Sequence, residues 1–241
     1  MKTILSSVIL LSLVSLSFAL TLQQIDGEYF IAQDKGNPVL LKSVLNEYLK
    51  LNTTEKDNPD LLWKISRCYI EYGLRINDSK EKVEAFTKAR EFGEKSIKLN
   101  DKIAMAHYEI AVAIGRLAQY VGILKSLFNL PALDSNFKRA IELDPTLGRA
   151  YLGLGMRYRD TPWYVGGSYS KALDYINKAI EKDPKYLNNY LELGYLYEKM
   201  NKKEEAIKAF EKVLQMESYF PYSYQFSEAK KDAKKEISKL K

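Results

Sequence analysis

The ends of successive amphipathic segments in this chain share a recurring pattern, and its spacing constrains the fold more than any other feature. Each segment closes on a large or long residue followed by Asn, Asp or Glu: Leu51-Asn52, Leu99-Asn100, Leu143-Asp144, Lys182-Asp183 and Met216-Glu217. The second positions of these pairs are 48, 44, 39 and 34 residues apart. A period of roughly 20–50 residues indicates units that cannot bury an apolar face alone and therefore stack. We expect an array of helix pairs, with inserted sequence in the longer units.

The two C-terminal units show the pattern most clearly. Their first helices read Tyr151-x2-Leu154-Gly155-x2-Tyr158 and Tyr190-x2-Leu193-Gly194-x2-Tyr197. Gly155 and Gly194 lack side chains where each first helix would touch its own second helix, so the axes can approach to about 8–10 Å. This order resembles the tetratricopeptide repeat, whose unit has about 34 residues. The resemblance implies an α-α solenoid that holds partners rather than one that performs chemistry.

The earlier units are more divergent. Two of them keep the order of large, apolar, small and apolar residues: Leu62-x2-Ile65-Ser66-x2-Tyr69 and His107-x2-Ile110-Ala111-x2-Ile114. A first unit is weaker, with a short helix around residues 25–34, a Gly36-Asn37-Pro38 turn and a second helix around residues 39–51. We predict an all-α, tetratricopeptide-like α-α solenoid of four to five helix pairs with a C-terminal capping helix.

The domain organisation follows from these units. We predict a signal peptide over residues 1–19, the divergent N-terminal pair over 20–57, the repeats with their insertions over 58–217, and the capping helix over 218–241. The capping helix is expected to begin with Ser227 as its N-cap. Its apolar stripe would close the last repeat: Ala229, Ala233, Ile237 and Leu240.

The first nineteen residues have the composition of a secretory leader. Lys2 precedes an apolar run over residues 4–16, and Ser17-Phe18-Ala19 supplies the small residues that a signal peptidase reads. The run is short for the ~30 Å hydrocarbon core, which disfavours an uncleaved anchor. No Cys follows the cleavage site, so we expect an exported, periplasmic protein without a lipid anchor.

The histidine and cysteine content argues against an enzyme. His107 is the only histidine and Cys68 the only cysteine, which excludes an intrachain disulfide and zinc sites built from several such ligands. A Ser-His-Asp arrangement would have to use His107, which the repeat pattern assigns to packing between helices. We therefore predict no catalytic residue, no metal and no cofactor.

The charge distribution limits the class of partner. The chain has 37 Lys and Arg against 31 Asp and Glu, a formal net charge of +6, and the basic residues are interspersed with acidic ones. An exported protein with no continuous basic patch is a poor candidate for nucleic acid binding. We expect no nucleic acid partner and weak or no contact with a membrane.

The departures from the 34-residue unit are insertions. The second helix of the second unit is expected to run from Ser79 to Leu99 after an Asn77-Asp78 start signal. The third unit adds residues 116–133, which carry apolar side chains at helical spacing: Leu117, Tyr120, Val121, Leu124, Leu127 and Phe128. The fourth adds the loop 160–168, with Trp163, Tyr164, Gly166 and Gly167, and with Ser168 as the cap of a helix that begins near Tyr169.

These insertions support a narrower resemblance. Ala106-His107-Tyr108, Gly148-Arg149-Ala150-Tyr151 and the loop Pro162-Trp163-Tyr164-Val165-Gly166-Gly167-Ser168 resemble the T component of tripartite ATP-independent periplasmic (TRAP) transporters. The regulator of microtubule dynamics family has similar loops, and the signal peptide favours the T component over it. The T-component resemblance implies a periplasmic scaffold that forms oligomers and works with the substrate-binding protein of a solute transporter.

The expected working surface is the inner face of the first helices together with the inserted segments. It lacks the repeated Lys, Asn and Arg set with which some tetratricopeptide domains clamp a carboxylate, and instead suits an apolar or amphipathic ligand or a partner helix. The predicted ligand- or partner-binding residues are Trp63, Arg67, Tyr108, Val112, Tyr120, Leu124, Phe128, Arg149, Met156, Trp163, Tyr164 and Tyr195. The leading hypothesis is a protein-interaction scaffold; the alternatives are a small-molecule binder with a cavity under the insertions and an exported enzyme.

Overall fold

The computed structural model describes residues 20–120 and 122–241, apart from the side chains of residues 123–125. Residues 1–19, which hold the predicted signal peptide, lie outside this part. The described chain forms eleven α-helices, one short 3-10 helix and no strand. The helices are α1 (Leu22–Lys35), α2 (Pro38–Thr54), α3 (Pro59–Arg75), α4 (Ser79–Leu99), α5 (Ala104–Ala118), α6 (Ile123–Leu143), α7 (Gly148–Asp160), α8 (Tyr169–Lys182), α9 (Leu187–Lys199), α10 (Lys203–Gln215) and α11 (Ser223–Leu240), and the 3-10 helix is Trp163–Val165.

Ten of these helices form five consecutive pairs, and α11 covers the last pair. Short connections make the helices of each pair antiparallel neighbours. The predicted tetratricopeptide-like solenoid with a capping helix is therefore confirmed, including the divergent first pair. Among the described helices, none is both long and apolar enough to cross a membrane.

The helix boundaries follow the signals in the sequence. Asn37 accepts from the backbone N–H of Val39 at 2.9 Å and precedes Pro38, while Gly36 ends α1 with a φ of 60°. The helix α4 spans the predicted Ser79–Leu99, and Asp78 accepts from the backbone N–H of Glu81 at 2.8 Å.

The two glycines of the C-terminal motif lie where a side chain would not fit. A Cβ on Gly155 would lie 2.6 Å from Cγ1 of Ile176 in α8, and one on Gly194 would overlap the ring of Phe210 in α10. Each glycine faces the second helix of its own pair, as predicted. Close approach of the two axes explains the residue type.

One helix break was not predicted, and one predicted boundary is wrong. Within residues 116–133, which carry apolar residues at helical spacing, α5 ends at Ala118 and Gly122, with a φ of 79°, separates it from α6. A residue at that φ breaks a right-handed helix. The capping helix begins at Ser223 rather than after Ser227, because Phe226, only 2% exposed, extends the apolar stripe by one turn toward the N-terminus.

The last helix also contacts the first, which the sequence did not indicate. The backbone N–H of Ser223 donates to Oδ1 of Asp34 at 2.9 Å, and the ring of Tyr224 lies against Gly36. The guanidinium of Arg75 lies 4.8 Å from the centre of the Tyr224 ring. The array thus closes on itself, and part of its inner face, such as Glu109, becomes an interior.

Candidate binding groove

A groove of about 550 Å³ lies on the inner side of α5, α6 and α7, under both long insertions. Asn188 and Glu192 of α9 also line the groove. Its apolar walls come from Val112 on α5, Leu127, Leu130 and Leu133 on α6, and Leu152 and Met156 on α7. Concave apolar sites of about 300–1,000 Å³ are typical binding sites for ligands.

Arg157 links the two insertions, residues 116–133 and the loop 160–168, and so holds both at the wall of the groove. Its Nε lies 2.8 Å from Oδ1 of Asp134 on α6, and its Nη1 donates to the carbonyl of Gly166 at 2.7 Å. Both side chains of the ion pair are largely buried. The inserted loop then brings Pro162 and Tyr164 to the groove.

The backbone of the inserted loop depends on its glycines and its cap. Gly166 has a φ of 92°, a conformation that side chains disfavour, and a Cβ on Gly167 would overlap the carbonyl of Thr161. Ser168 accepts from the backbone N–H of Lys171 at 3.3 Å and so begins α8, as predicted. The residues that form this turn therefore also position the wall of the groove.

One end of the groove is polar and aromatic. The guanidinium of Arg149 lies 4.6 Å from the ring centre of Tyr186 and 4.8 Å from that of Tyr222, and it donates to the Tyr222 hydroxyl. The Tyr186 hydroxyl accepts from Asn188 at 3.2 Å and from Gln225 at 3.1 Å. This end can receive a polar or charged group through hydrogen bonds and cation–π contacts.

Behind the groove, the closed array encloses charged side chains. Glu109 on α5 is only 3% exposed, and burial raises its pKa to about 8, against the lowering effect of Arg67. Arg67 itself lies 4.0 Å from the ring centre of Tyr29 and 3.5 Å from Oδ1 of Asp26. These charges belong to the packed interior of the first three helix pairs.

The structure brings together five of the twelve predicted site residues. The residues that line the groove are Tyr108, Val112, Arg149, Met156 and Tyr164. Phe128 and Trp163 are 85% and 82% exposed, and each is flanked in sequence by groove-lining residues, so they lie at the rim of the groove.

The remaining predicted site residues lie elsewhere. Trp63 and Arg67 belong to the N-terminal part, where Trp63 donates to Asp60 at 3.2 Å. Tyr120 packs on Phe86 and Tyr195 on Phe210, with ring centres 6.3 and 5.4 Å apart. The side chain of Leu124 lies outside the described residues. Helical register placed these aromatics between helices of the array rather than on the groove wall.

Some groove residues were missed by the sequence analysis. Arg116 stands one turn after Val112 on α5, and Tyr186 precedes α9. The i, i+4 spacing from Val112 is a signal that could have found Arg116. Tyr186 lies outside any helical stripe, so periodicity could not place it.

The lone histidine and cysteine have packing roles. His107 is 4% exposed, and its two ring nitrogens lie 3.0 Å from Oδ1 of Asn136 and 3.0 Å from the carbonyl of Asp101. Cys68 is buried, and burial raises the pKa of its thiol. Within the described chain, no group of three or more His, Cys, Asp or Glu side chains could hold a metal ion.

Comparison with known families gives one extensive match. The model of the family described as Regulator of microtubule dynamics protein 1-3 matches residues 23–158 and 165–241. The regulator of microtubule dynamics protein 1 of Bos taurus is 27% identical over 202 residues, which cover 77% of this chain and 61% of that protein. The protein of the same name from Mus musculus is 26% identical over 175 residues, or 66% of this chain and 57% of that protein. The chain thus spans about three fifths of the length of these relatives.

Solved structures support the fold. A thermophilic tetratricopeptide-repeat protein from Thermus thermophilus superposes with a TM-score of 0.65 at 15% identity, over 90% of this chain and 98% of that chain. A tetratricopeptide-repeat protein from Parabacteroides merdae gives a TM-score of 0.54 at 17% identity, over 88% and 77% of the two chains. At this level of identity the likeness concerns the fold alone.

The predicted relation to the TRAP T component finds no support in these matches, and neither does a periplasmic binding-protein partner. The family that the sequence analysis ranked second is the one that matches. The matched ranges omit residues 159–164, which include Pro162, Trp163 and Tyr164 of the loop on which the narrower resemblance rested. The other residues of that resemblance follow the general repeat pattern, which does not distinguish one repeat family from another.

Proposed function

The chain belongs to the Regulator of microtubule dynamics protein 1-3 family, and from that premise we propose that it is a protein-interaction scaffold whose groove receives an apolar segment of a partner. By analogy with the names of its relatives, the partner would act in the control of microtubule dynamics. The scaffold role agrees with the use of helical-repeat arrays as extended binding surfaces.

One observation carries the proposal: the insertions build an apolar groove instead of filling the inner face. Leu127 and Leu130 on α6 face the groove from one side, and Met156 on α7 faces it from the other. A helix that lays its apolar side chains into such a groove is a common recognition mode. The exposed Phe128 and Trp163 at the rims add aromatic surface of the kind that often contributes strongly to binding.

The groove offers little support for catalysis. Its two acidic residues, Asp160 and Glu192, both pair with Arg159, the first at 2.8 Å. Both carboxylates are thus engaged in ion pairs with the same arginine. Binding is therefore the function that these side chains favour.

Photo-cross-linking from inside the groove tests the proposal. A benzophenone amino acid at Met156 should form protein adducts in the cells that make the protein. The same residue at Val39, which is 74% exposed on α2 and away from the groove, is the control. Adducts that are equally abundant from both positions, or absent from Met156, would contradict a protein partner in the groove.

The size of the groove favours a second candidate, a small amphipathic ligand. About 550 Å³ lies within the range of small-molecule sites, and the insertions cover the groove on two sides. Native mass spectrometry of the gently purified protein separates the candidates. A bound mass of a few hundred daltons that disappears in a Met156→Asp variant would favour the small ligand. If the native mass is that of the protein alone and Met156 still gives cross-links, the protein segment is favoured.

We also propose export, on the basis of Lys2, the apolar run over residues 4–16 and Ser17-Phe18-Ala19. The intact mass of the protein isolated from its own cells should correspond to a chain that begins at Leu20. A chain that retains Met1 in a soluble fraction would contradict export. A chain that begins at Leu20 would instead contradict a partner that controls microtubules, because an exported protein does not meet them. The scaffold proposal stands in either case.

A further inference from the structure

The arginines of this protein differ in whether they form an ion pair with a carboxylate. All eight arginines lie in the described residues, and six of them have a carboxylate within 4.0 Å. These six pairs are Arg67–Asp26, Arg75–Glu71, Arg90–Glu94, Arg139–Asp101, Arg157–Asp134 and Arg159–Asp160. Arg116 and Arg149 have no such partner among the described carboxylates, and both line the groove.

The acidic residues near the groove form no ion pair with either arginine. Asp160 and Glu192 both pair with Arg159 instead. Glu109, buried behind the groove, forms no ion pair with Arg149, and burial raises its pKa to about 8, so it is largely uncharged at neutral pH. The groove is therefore lined by two guanidinium groups that have no carboxylate within 4.0 Å among the described residues.

The two arginines stand at opposite ends of the groove. Arg116 lies in the last turn of α5 and Arg149 in the first turn of α7, and these helices run parallel because α6 reverses the chain between them. Aligning His107 with Tyr151 in the repeat pattern places Arg116 level with Asp160, eleven residues beyond Arg149. At about 1.5 Å per residue, the arginines are about 16 Å apart along the helix axes.

Apolar side chains fill the interval between the two charges. Val112 lies one turn before Arg116 on α5, and Met156 lies two turns after Arg149 on α7. Leu127 on α6 faces the same interval. Along its length the groove thus presents the cation Arg149, an apolar middle part and the cation Arg116.

We propose that the groove binds an amphipathic helix of a protein partner that carries a carboxylate near each end of its apolar face, about three turns apart; this rests on the proposed function. Eleven residues make about three turns of an α-helix, so two acidic side chains at that spacing lie on one face. Both arginines are half-buried, and a half-buried guanidinium without a carboxylate partner is costly. A partner carboxylate forms the strong, often bidentate hydrogen bonds that relieve this cost. Charge complementarity also selects the acidic segment over neutral apolar ones.

A matched pair of peptides tests the charge requirement. Both are helix-forming peptides of about 16 residues with one leucine stripe; one has Glu at two positions eleven residues apart on that face, and the other has Gln there. Fluorescence anisotropy with the full chain should show the Glu peptide binding at least about tenfold more tightly. Its affinity should fall with added salt, while that of the Gln peptide stays nearly constant.

Variants of the protein identify the groups responsible. Arg116→Gln should remove at least about threefold of the preference for the Glu peptide, and Arg149→Gln should do the same. The control is Arg139→Gln, because Arg139 pairs with Asp101 and Glu142 away from the groove. Arg149 is packed between two rings, so if its variant unfolds, the result for Arg116→Gln decides.

Several outcomes would overturn the proposal. Equal affinity for the two peptides, or a preference that survives Arg116→Gln, would refute the charge requirement. Cross-links from Met156 would then still support the scaffold function. Binding of anionic lipid vesicles through the two arginines, with no binding of either peptide, would assign the charges to lipid instead. Loss of the Met156 cross-links as well would remove the proposed function itself.

Discussion

Asp34 in the first helix accepts a hydrogen bond of 2.9 Å from the backbone N–H of Ser223, which begins the last helix. The two residues are 189 positions apart in sequence. Around them, Tyr224 lies against Gly36 and under the guanidinium of Arg75. Closure of the array therefore depends on a small contact between its two ends.

Removing the Tyr224 ring should open this contact. We expect Tyr224→Ala to destabilise the fold by roughly 2 kcal/mol, less than a fully buried aromatic would cost, because the ring is half-buried. Amide hydrogen exchange should accelerate in α1 and α2, whose other neighbour is α3. The control is Tyr169→Ala, since Tyr169 is 42% exposed on α8. Unchanged protection of α1 and α2 would show that the ends are independent.

The contact between the two ends of the array also shows which features the sequence does not predict. The turn at Gly36-Asn37-Pro38 and the span of α4 follow from caps and periodicity, which are local. The approach of Tyr224 to Gly36 and the hydrogen bond from Arg149 to Tyr222, 73 residues away, depend on the superhelical path of the whole array. No local pattern encodes that path.

The groove was predicted in part for the same reason. Periodicity gave the inner face of α5 and α7, so Tyr108, Val112 and Met156 were found. It could not decide whether exposed aromatics in an insertion would fold inward. Phe128 and Trp163 are both largely exposed instead. The loop that carries Trp163 is held by Arg157 through the Gly166 backbone carbonyl rather than by its aromatic rings.

Glu109 makes the stability of the protein depend on pH. Its carboxyl has a pKa of about 8 in the folded state against 4.5 in the unfolded chain. Between these values the unfolded chain loses the proton while the folded state keeps it, so the free energy of unfolding falls as pH rises and levels off above about pH 8. The slope contributed by this residue is at most about 1.4 kcal/mol per pH unit.

Urea unfolding between pH 5 and 9 measures this effect. Glu109→Gln should remove the corresponding fall, so that the variant gains stability relative to the parent as pH rises. Glu28→Gln, at an exposed position on α1, should leave the curve unchanged. A parent curve that runs parallel to that of Glu109→Gln would mean that the carboxyl is already ionised in the folded protein.

The ion pair between Arg157 and Asp134 should hold the inserted loop. Arg157→Met removes the 2.8 Å pair and leaves Asp134 largely buried without its counter-charge, which costs about 2–4 kcal/mol. Exchange of backbone amides in the loop 160–168 should increase as well, because the contact with the Gly166 carbonyl is lost. The double variant with Asp134→Leu should recover part of the stability. A double variant as unstable as the sum of the single ones would show that the two side chains are not coupled.

The rim aromatics should serve contact rather than packing. Phe128 and Trp163 are 85% and 82% exposed, so the Phe128→Ala, Trp163→Ala double variant should change the free energy of unfolding by no more than about 0.5 kcal/mol per site. If these rings are interface anchors, the variant loses cross-links from Met156 while its circular dichroism spectrum and thermal midpoint stay the same. Phe137→Ala is the contrast, because that ring is 4% exposed and its loss should lower the midpoint sharply. A double variant that melts early, or that keeps every cross-link, would contradict a contact role for these rings.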